Sequence, residues 1–415
     1  MKTNTLTRNI FIALVVGIIA GYALNISYGA LPDGTTNPTL QKITEYLSIL
    51  TDIFLRLIKM IIAPLVFCTL VVGVAKLGDI QAVGRIGGKT LLWFFCASLL
   101  SLLLGMILVN IFQPGHSMEL SLPEATADTG IKKTALTLRD FIMHVFPKSV
   151  FEAMATNEIL QIVVFSLFFG TAAAAMGDYA NPVIHALDII THIVLKMTGY
   201  VMNFAPAAVF AAITVIVAQK GLGILKTYSI FIAEFYFGLF LLWAILVGIG
   251  YLILGSRVKT LVRRMRESVL LAFSTSSSES VFPLMMEQLQ RFGCKDKICS
   301  FVLPLGYSFN LDGSMMYMTF ASIFIAQAYN IDLSYSTQLS MLLVLMLTSK
   351  GIAGVPRASL VVIAGTLANF DIPEAGLLLL LGIDQILDMG RSATNVVGNA
   401  IATAVIAKWE GELED

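Results

Sequence analysis

The sequence predicts an all-α membrane protein, and three observations lead there. Of its 415 residues 57% are hydrophobic and only 13% carry charge, against about 25% charged in soluble domains. The first 254 residues contain a series of apolar segments, several of them at least as long as the roughly 20 residues a spanning helix needs. Beyond Ser256 the pattern changes to paired short apolar arms joined by polar or glycine-rich tips, each pair followed by a longer segment interrupted by polar residues.

The apolar segments lie at about 9–25, 47–75, 90–112, 157–177, 183–218 and 226–254. Lys2 and Arg8 before the first give it the look of a secretory leader. It is long for one and more spans follow, so it reads as a retained helix with a cytoplasmic start. The segments at 47–75 and 183–218 exceed the bilayer thickness, and Pro64 and Pro206 are the expected kinks. The polar stretch between 113 and 150 reads as a long outer loop. Basic residues cluster at Arg257, Lys259, Arg263, Arg264 and Arg266, and again at Lys76, Arg85 and Lys89. The positive-inside rule places both clusters in the cytoplasm.

In the second half, residues 260–273 form one arm, STSSSES at 274–280 a tip, and Pro283 opens a second arm to about Gln290. About a dozen residues reach roughly 18 Å, short of a 30 Å core, so the pair reads as a hairpin that enters and leaves on one side. The next span, 299–328, is broken at NLDGS (310–314). A second hairpin follows: an arm at 337–350, a tip at KGIAGV (350–355), and an arm opened by Pro356. Broken backbone at membrane depth is tolerated only where it lines a protected site, and paired interrupted segments point to a transporter's binding site. A proline in the first turn aims each second arm's N-terminal end, with its free N–H groups, at the midplane, an arrangement suited to anions.

The stretch from Gly376 to Ala407 is predicted as one spanning helix with charges in its middle. At roughly 100° per residue, Asp384, Asp388, Arg391, Asn395 and Asn399 fall within about 80° of arc, with Ser392 at its edge. Charges at that depth cost about 3 kcal/mol each by insertion scales and mark functional sites.

Other residues say less. Lys plus Arg and Asp plus Glu both total 27, so net charge gives no sign of a nucleic-acid partner. Cys68, Cys96, Cys294 and Cys299 read as reduced packing cysteines. His116, His144, His185 and His192 lack metal-ligand spacing.

Together SSS at 276–278, NLDGS at 310–314, SKGIAGVP at 349–356 and DMGRSATN at 388–395 resemble the four signature regions of the glutamate transporter family, the dicarboxylate/amino acid:cation symporters. FLRLIKMIIAPLVF (54–67) is similar to its second helix. The resemblance implies eight transmembrane helices plus two re-entrant hairpins in an inverted-repeat transporter fold. It implies a homotrimer in the plasma (inner) membrane with both termini cytoplasmic, whose partners are lipid and a small substrate, L-glutamate or L-aspartate. It divides the chain into scaffold parts at 1–82 and 116–220 and transport parts at 83–115 and 221–415, the latter moving like an elevator. It also implies residue roles. Arg391 pairs with the substrate's side-chain carboxylate, Asp388 with its ammonium, and Asn395 with its main-chain end. Ser277, Ser278, Gly354 and Val355 hold the α-carboxylate, with Ser314 and Ser392 nearby. Members that carry plain C4-dicarboxylates lack the aspartate matching Asp388, so its presence favours an acidic amino acid.

The coupling ion departs from the sodium pattern. Asn399 stands where sodium-coupled members have a carboxylate, Leu311 where they have a methionine, and Phe94 and Ala97 where they have a tyrosine and a threonine. Gly306, Ser308, Asn310, Asp312, Ser349 and Asn395 remain as cation-site positions, with sodium only at Gly306, Asn310, Asn395 and Asn399. The reading leans to protons, with Asp312, Asp384 or Glu279 as carrier, and no cofactor beyond the coupling ion. Ser276 and Gln385 stand near the two places where members alternately put an arginine; Arg357 is expected instead to help neutralise Asp388 or Asp384 when the site is empty, and Lys350 to replace a bound cation. The alternatives are a C4-dicarboxylate symporter of the same fold and an anion channel. An intramembrane enzyme is disfavoured, since no His or Lys lies near Ser276–Ser278 and no GxSxG elbow occurs.

Overall fold

The computed structural model describes residues 3–29, 37–77, 80–117, 122, 143, 145–221, 228–349, 358–381 and 383–414. Among them the secondary structure is helical, apart from an isolated bridge between Cys294 and Leu413. The first half contains α1 (Thr3–Tyr28), α2 (Pro38–Leu77), α3 (Ile80–Phe112), α4 (Val150–Thr156), α5 (Ile159–Ala175), α6 (Asn181–Val201) and α7 (Ala205–Lys220). α8 (Ser229–Leu254) follows, then α9 (Arg257–Thr275), α10 (Phe282–Phe292), α11 (Asp296–Phe309), α12 (Asp312–Ala328), α13 (Tyr335–Thr348), α14 (Ala358–Asn369) and α15 (Asp384–Trp409). Five helical stretches among the described residues are long and apolar enough to cross a membrane.

Pro64 sits inside the 40-residue α2. The long segment at 183–218 is divided by a 3-10 turn at Met202–Phe204, with Pro206 in the first turn of α7. There its missing N–H costs nothing. α1, α5, α6 and α7 pack around α2, while α3, α8, α9, α11 and α12 surround or adjoin α15. The two groups meet where α11 lies against α2 and α5, and where α9 lies against α1 and α7.

Two expectations need correction. The first hairpin's leading arm is not a dozen residues but the 19 of Arg257–Thr275, about 28 Å at 1.5 Å per residue. Hydropathy ends the arm where the arginines begin, yet Arg and Lys are good helix formers and carry the helix on. Nor is 376–407 one helix. A short helix at Leu377–Leu381 precedes α15, which starts at Asp384. Asp384 therefore lies in a first helical turn, where a carboxylate is favoured by the free N–H groups and the dipole.

The tips of the hairpins differ in what is described. α9 ends at Ser276 in the left-handed conformation (φ 50°), and Pro283 lies in the first turn of α10. Ser280 N–H donates to Ser277 Oγ (3.2 Å), and Ser280 Oγ donates to the Ser277 carbonyl (2.8 Å), closing the tip on itself. The second tip, with Lys350, Gly354, Val355, Pro356 and Arg357, lies outside the described residues.

Candidate functional site

α15 and the break between α11 and α12 build the centre. Because α15 runs unbroken from Asp384, its polar residues keep the single stripe that helical spacing dictates. Arg391 is 2% exposed and donates through Nη2 to Asp384 Oδ1 (3.0 Å), with Asp388 Oδ1 at 2.9 Å. Its guanidinium lies 4.1 Å from the centre of the Tyr317 ring, and the Tyr317 hydroxyl donates to Asp384 Oδ1 (3.3 Å). A desolvated cation over a ring gains about 2 kcal/mol, and the two carboxylates offset the cost of burying the charge. Nε and Nη1 of Arg391 have no hydrogen-bond partner among the described residues. Asp384 is buried, whereas the Asp388 side chain is 37% exposed. Among the described residues the arginine is thus held from one side, with two N–H-bearing nitrogens lacking a partner and a partly open carboxylate beside it.

A neutral polar pair stands one turn further along. Asn395 Oδ1 accepts from the backbone N–H groups of Gly313 (2.9 Å) and Ser314 (3.5 Å), and Asn395 Nδ2 donates to Ser314 Oγ (3.3 Å). Those N–H groups belong to the first turn of α12, which needs outside acceptors. The approach requires glycine: a Cβ on Gly313 would lie 2.6 Å from the Arg391 carbonyl oxygen and 2.8 Å from Thr394 Cβ.

The third group is deeper. Asn310 Nδ2 donates to Asp312 Oδ2 (3.0 Å) and to Asn399 Oδ1 (3.3 Å), and Ser101 of α3 donates to Asp312 Oδ1 (3.4 Å). Asn310, Asp312 and Asn399 are at most 1% exposed. Asn310 Oδ1, Asn399 Nδ2 and the Ser308 hydroxyl have no partner among the described residues. For a cation this set is mixed: Asn310 Oδ1 is a spare acceptor, but Asn399 presents a donor. The Gly306 carbonyl accepts the Asn310 N–H (2.8 Å).

The remaining candidates stand apart from these three groups. Ser392 is buried on α15 beside Arg391, and Ser278 is buried at the first tip. Half-buried Glu279 belongs to the turn leading into α10. Ser349, buried at the end of α13, donates to the Met346 carbonyl (3.2 Å). Ser276 and Gln385 are joined directly, Nε2 to Oγ at 2.7 Å, which ties the first tip to the start of α15. A cavity of about 310 Å³ lies next to them, lined by Asp52, Thr51, Gln219, Thr275 and Gln385 among others. Sequence reasoning missed Tyr317, Ser101 and Tyr236, whose hydroxyl donates to the Ile386 carbonyl (2.6 Å). The only local sign for Tyr317 was a polar aromatic one turn beyond Ser314 in a helix otherwise suited to complete burial.

Apolar spanning helices, with broken helices that bring buried polar groups together inside the core, are the features of a membrane transporter. The family model described as "Sodium:dicarboxylate symporter family" matches residues 6–409, and the chain belongs to that family. It is 41% identical over 421 aligned residues to a proton/sodium-glutamate symport protein of Bacillus caldotenax, covering 100% of this chain and 97% of that one. It is 39% identical to a C4-dicarboxylate transport protein of Laribacter hongkongensis, covering 100% and 92%. A proton/sodium-glutamate symport protein of Bacillus subtilis is 38% identical, with 98% and 93% covered. Members of a symporter family are carriers, not enzymes.

Proposed function

We propose that this protein is a secondary active symporter that takes up an acidic amino acid, glutamate or aspartate, together with protons. One observation carries the reading: Arg391 and Asp388 lie within one turn of α15, the arginine buried with two nitrogens unused and the aspartate partly open. The arginine suits bidentate capture of a distal carboxylate, and the aspartate suits an ammonium. Asn395, Ser314, Ser392 and the first-turn N–H groups at the two tips take the main-chain carboxylate, with Ser277, Ser278, Gly354 and Val355 at those tips.

Charge counting supports both the substrate and the coupling. With Asp384, Asp388 and Arg391 ionised, the centre carries one net negative charge. An acidic amino acid adds one more; a C4-dicarboxylate dianion adds two. Each uncompensated buried charge costs several kcal/mol, so the amino acid is the cheaper cargo and accompanying cations are needed. The relatives' names divide between glutamate and C4-dicarboxylates, and on this count the amino acid is favoured. Asn399 in place of a carboxylate leaves the Asn310–Asp312 group poor in the hard oxygen ligands a metal cation prefers, which favours protons, with Asp312, Asp384 or Glu279 as carrier. The group packed around α15 would move as the transport part against the group around α2, three protomers assembling through the latter in the plasma membrane.

The test is uptake by purified protein in liposomes, with labelled glutamate, aspartate and succinate under separate proton and sodium gradients. Saturable accumulation of the amino acids driven by a pH gradient without sodium is the expected result. Strict sodium dependence would overturn the coupling, preference for succinate would install the dicarboxylate reading, and current without accumulation would install a channel.

A further inference from the structure

An apolar groove lies behind the candidate site, on the opposite side of the same helix. α8, α9 and α15 leave a lateral opening of about 600 Å³ between them. Its floor is α15, where Gly390, Ala393, Val397 and Ala400 recur at helical spacing. Small side chains there leave room for a guest instead of filling it. Trp243 on the α8 wall is already satisfied, its Nε1–H donating to Thr394 Oγ1 (2.7 Å), so the groove asks its occupant for no hydrogen bond. Phe240 and Val262 at its edges are 71% and 47% exposed, which places the mouth on the surface that faces acyl chains.

One end is not apolar. Lys259, Arg263 and Arg266 are all exposed, and at 100° per residue they share about 60° of arc on α9. Val262, Val269, Leu270 and Phe273, which line the groove, extend from that same face. The first turn of α9 has no acidic residue, so Lys259 there opposes the helix dipole, while Arg263 and Arg266 also favour the helix itself. The positive-inside rule calls for basic residues on one side of the membrane; it does not call for their alignment with a groove.

We propose that this groove is a binding site for one anionic phospholipid, its phosphate held by Lys259, Arg263 and Arg266 and an acyl chain laid along α15 toward Phe273. Charge complementarity selects the headgroup and the dry walls select the chain. Gly390 on the floor precedes Arg391, so the lipid supports the helix turn that carries the buried guanidinium. The inference does not depend on which solute is carried.

The protein contains three tryptophans, and Trp93→Phe with Trp409→Phe leaves Trp243 alone on the groove wall. This variant would be reconstituted in phosphatidylcholine doped with either bromine-labelled phosphatidylglycerol or bromine-labelled phosphatidylcholine, and Trp243 quenching measured. A basic residue near the surface is worth about fivefold in attraction for anionic lipid. The phosphatidylglycerol is therefore expected to quench at a mole fraction at least tenfold lower, and Lys259→Gln/Arg263→Gln/Arg266→Gln to abolish the difference. Arg291→Gln/Lys297→Gln, which removes two positive charges elsewhere, should preserve it. Where the triple variant fails to fold, Arg266→Gln alone should reduce the preference about fivefold. Equal quenching by the two lipids, or equal loss in the control variant, would overturn the proposal.

Discussion

The two ends of α15 both carry ion pairs, and the contrast between them separates a candidate binding site from a fastening. At the first end, Arg391 is 2% exposed and shared by two acids. Just past the last, Glu410 takes Arg85 (2.9 Å) and Lys89 (2.6 Å), and Glu412 takes Lys295 (2.9 Å) and Lys297 (2.5 Å). The basic partners at this far end are a quarter to more than half exposed. Glu414 N–H donates to the Gly293 carbonyl (2.8 Å), so the tail is stitched to the loop between α10 and α11. Glu410 and Glu412 are themselves covered, 3% and 19% exposed, but their partners' reach into water keeps these pairs cheaper to break than a fully buried one, which costs about 3–5 kcal/mol. Similar chemistry thus gives a clamp whose bases stay in water over covered acids at one end, and a costly, committed charge in the core at the other.

Arg391→Ala should break the contrast outright. Two carboxylates would be left facing each other, and substrate affinity in a binding assay should fall by about 100-fold or more. Arg391→Lys should recover little of this, because the ammonium lacks the planar fork and the stacking on Tyr317. Asp388→Asn comes next, with glutamate affinity reduced about 10- to 100-fold and succinate affinity unchanged or improved. Equal losses for both solutes would remove the ammonium role.

Asn399→Asp tests the middle of the helix, where the stripe is polar but uncharged. It is expected to create sodium binding, read as a sodium-induced rise in melting temperature. Tyr317→Phe keeps the ring under Arg391 and removes only the bond to Asp384, so a loss of about fivefold in affinity is expected, from about 1 kcal/mol for one hydrogen bond.

The smallest effect belongs to the clamp. Burial alone would raise the Glu410 and Glu412 carboxyls, but the hydrogen bonds from Arg85 and Lys89, and from Lys297 and Lys295, outweigh it and hold both below the usual glutamate value. A lowered folded value means the stabilisation is complete above the ordinary range near 4.3 and is lost as pH falls through the lowered values. Hydrogen exchange at residues 410–414 should therefore rise only in acid below about pH 4. High salt should loosen the same segment while leaving the Arg391 end unmoved.

The charged stripe was legible because 3.6-residue spacing is a local property, and α15 happens to be unbroken across it. The pairing of α11 and α12 around 310–311 was legible for a related reason, since Asn310, Asp312 and Gly313 interrupt apolar sequence. Tyr317 was not, because its role arises only when α12 crosses α15, a contact between residues 74 positions apart. The length of α9 was obscured by its charges, which lower hydropathy without lowering helix propensity. The start of α15 at Asp384 was signalled only by Gly382, a single glycine that hardly lowers the hydropathy of the leucine-rich run around it.

Gly313 carries one further consequence. The start of α12 sits so close to the backbone of Arg391 that no side chain fits between them, and Asn395 bonds across the same seam. Two helices meshed at that distance cannot slide past each other without unlocking both. Under the proposed reading, the candidate site moves as one body with both helices and should hold its solute equally tightly whichever face of the membrane it is open to. In that case net accumulation is set by the gradients the cell maintains, and the protein itself has no preferred direction.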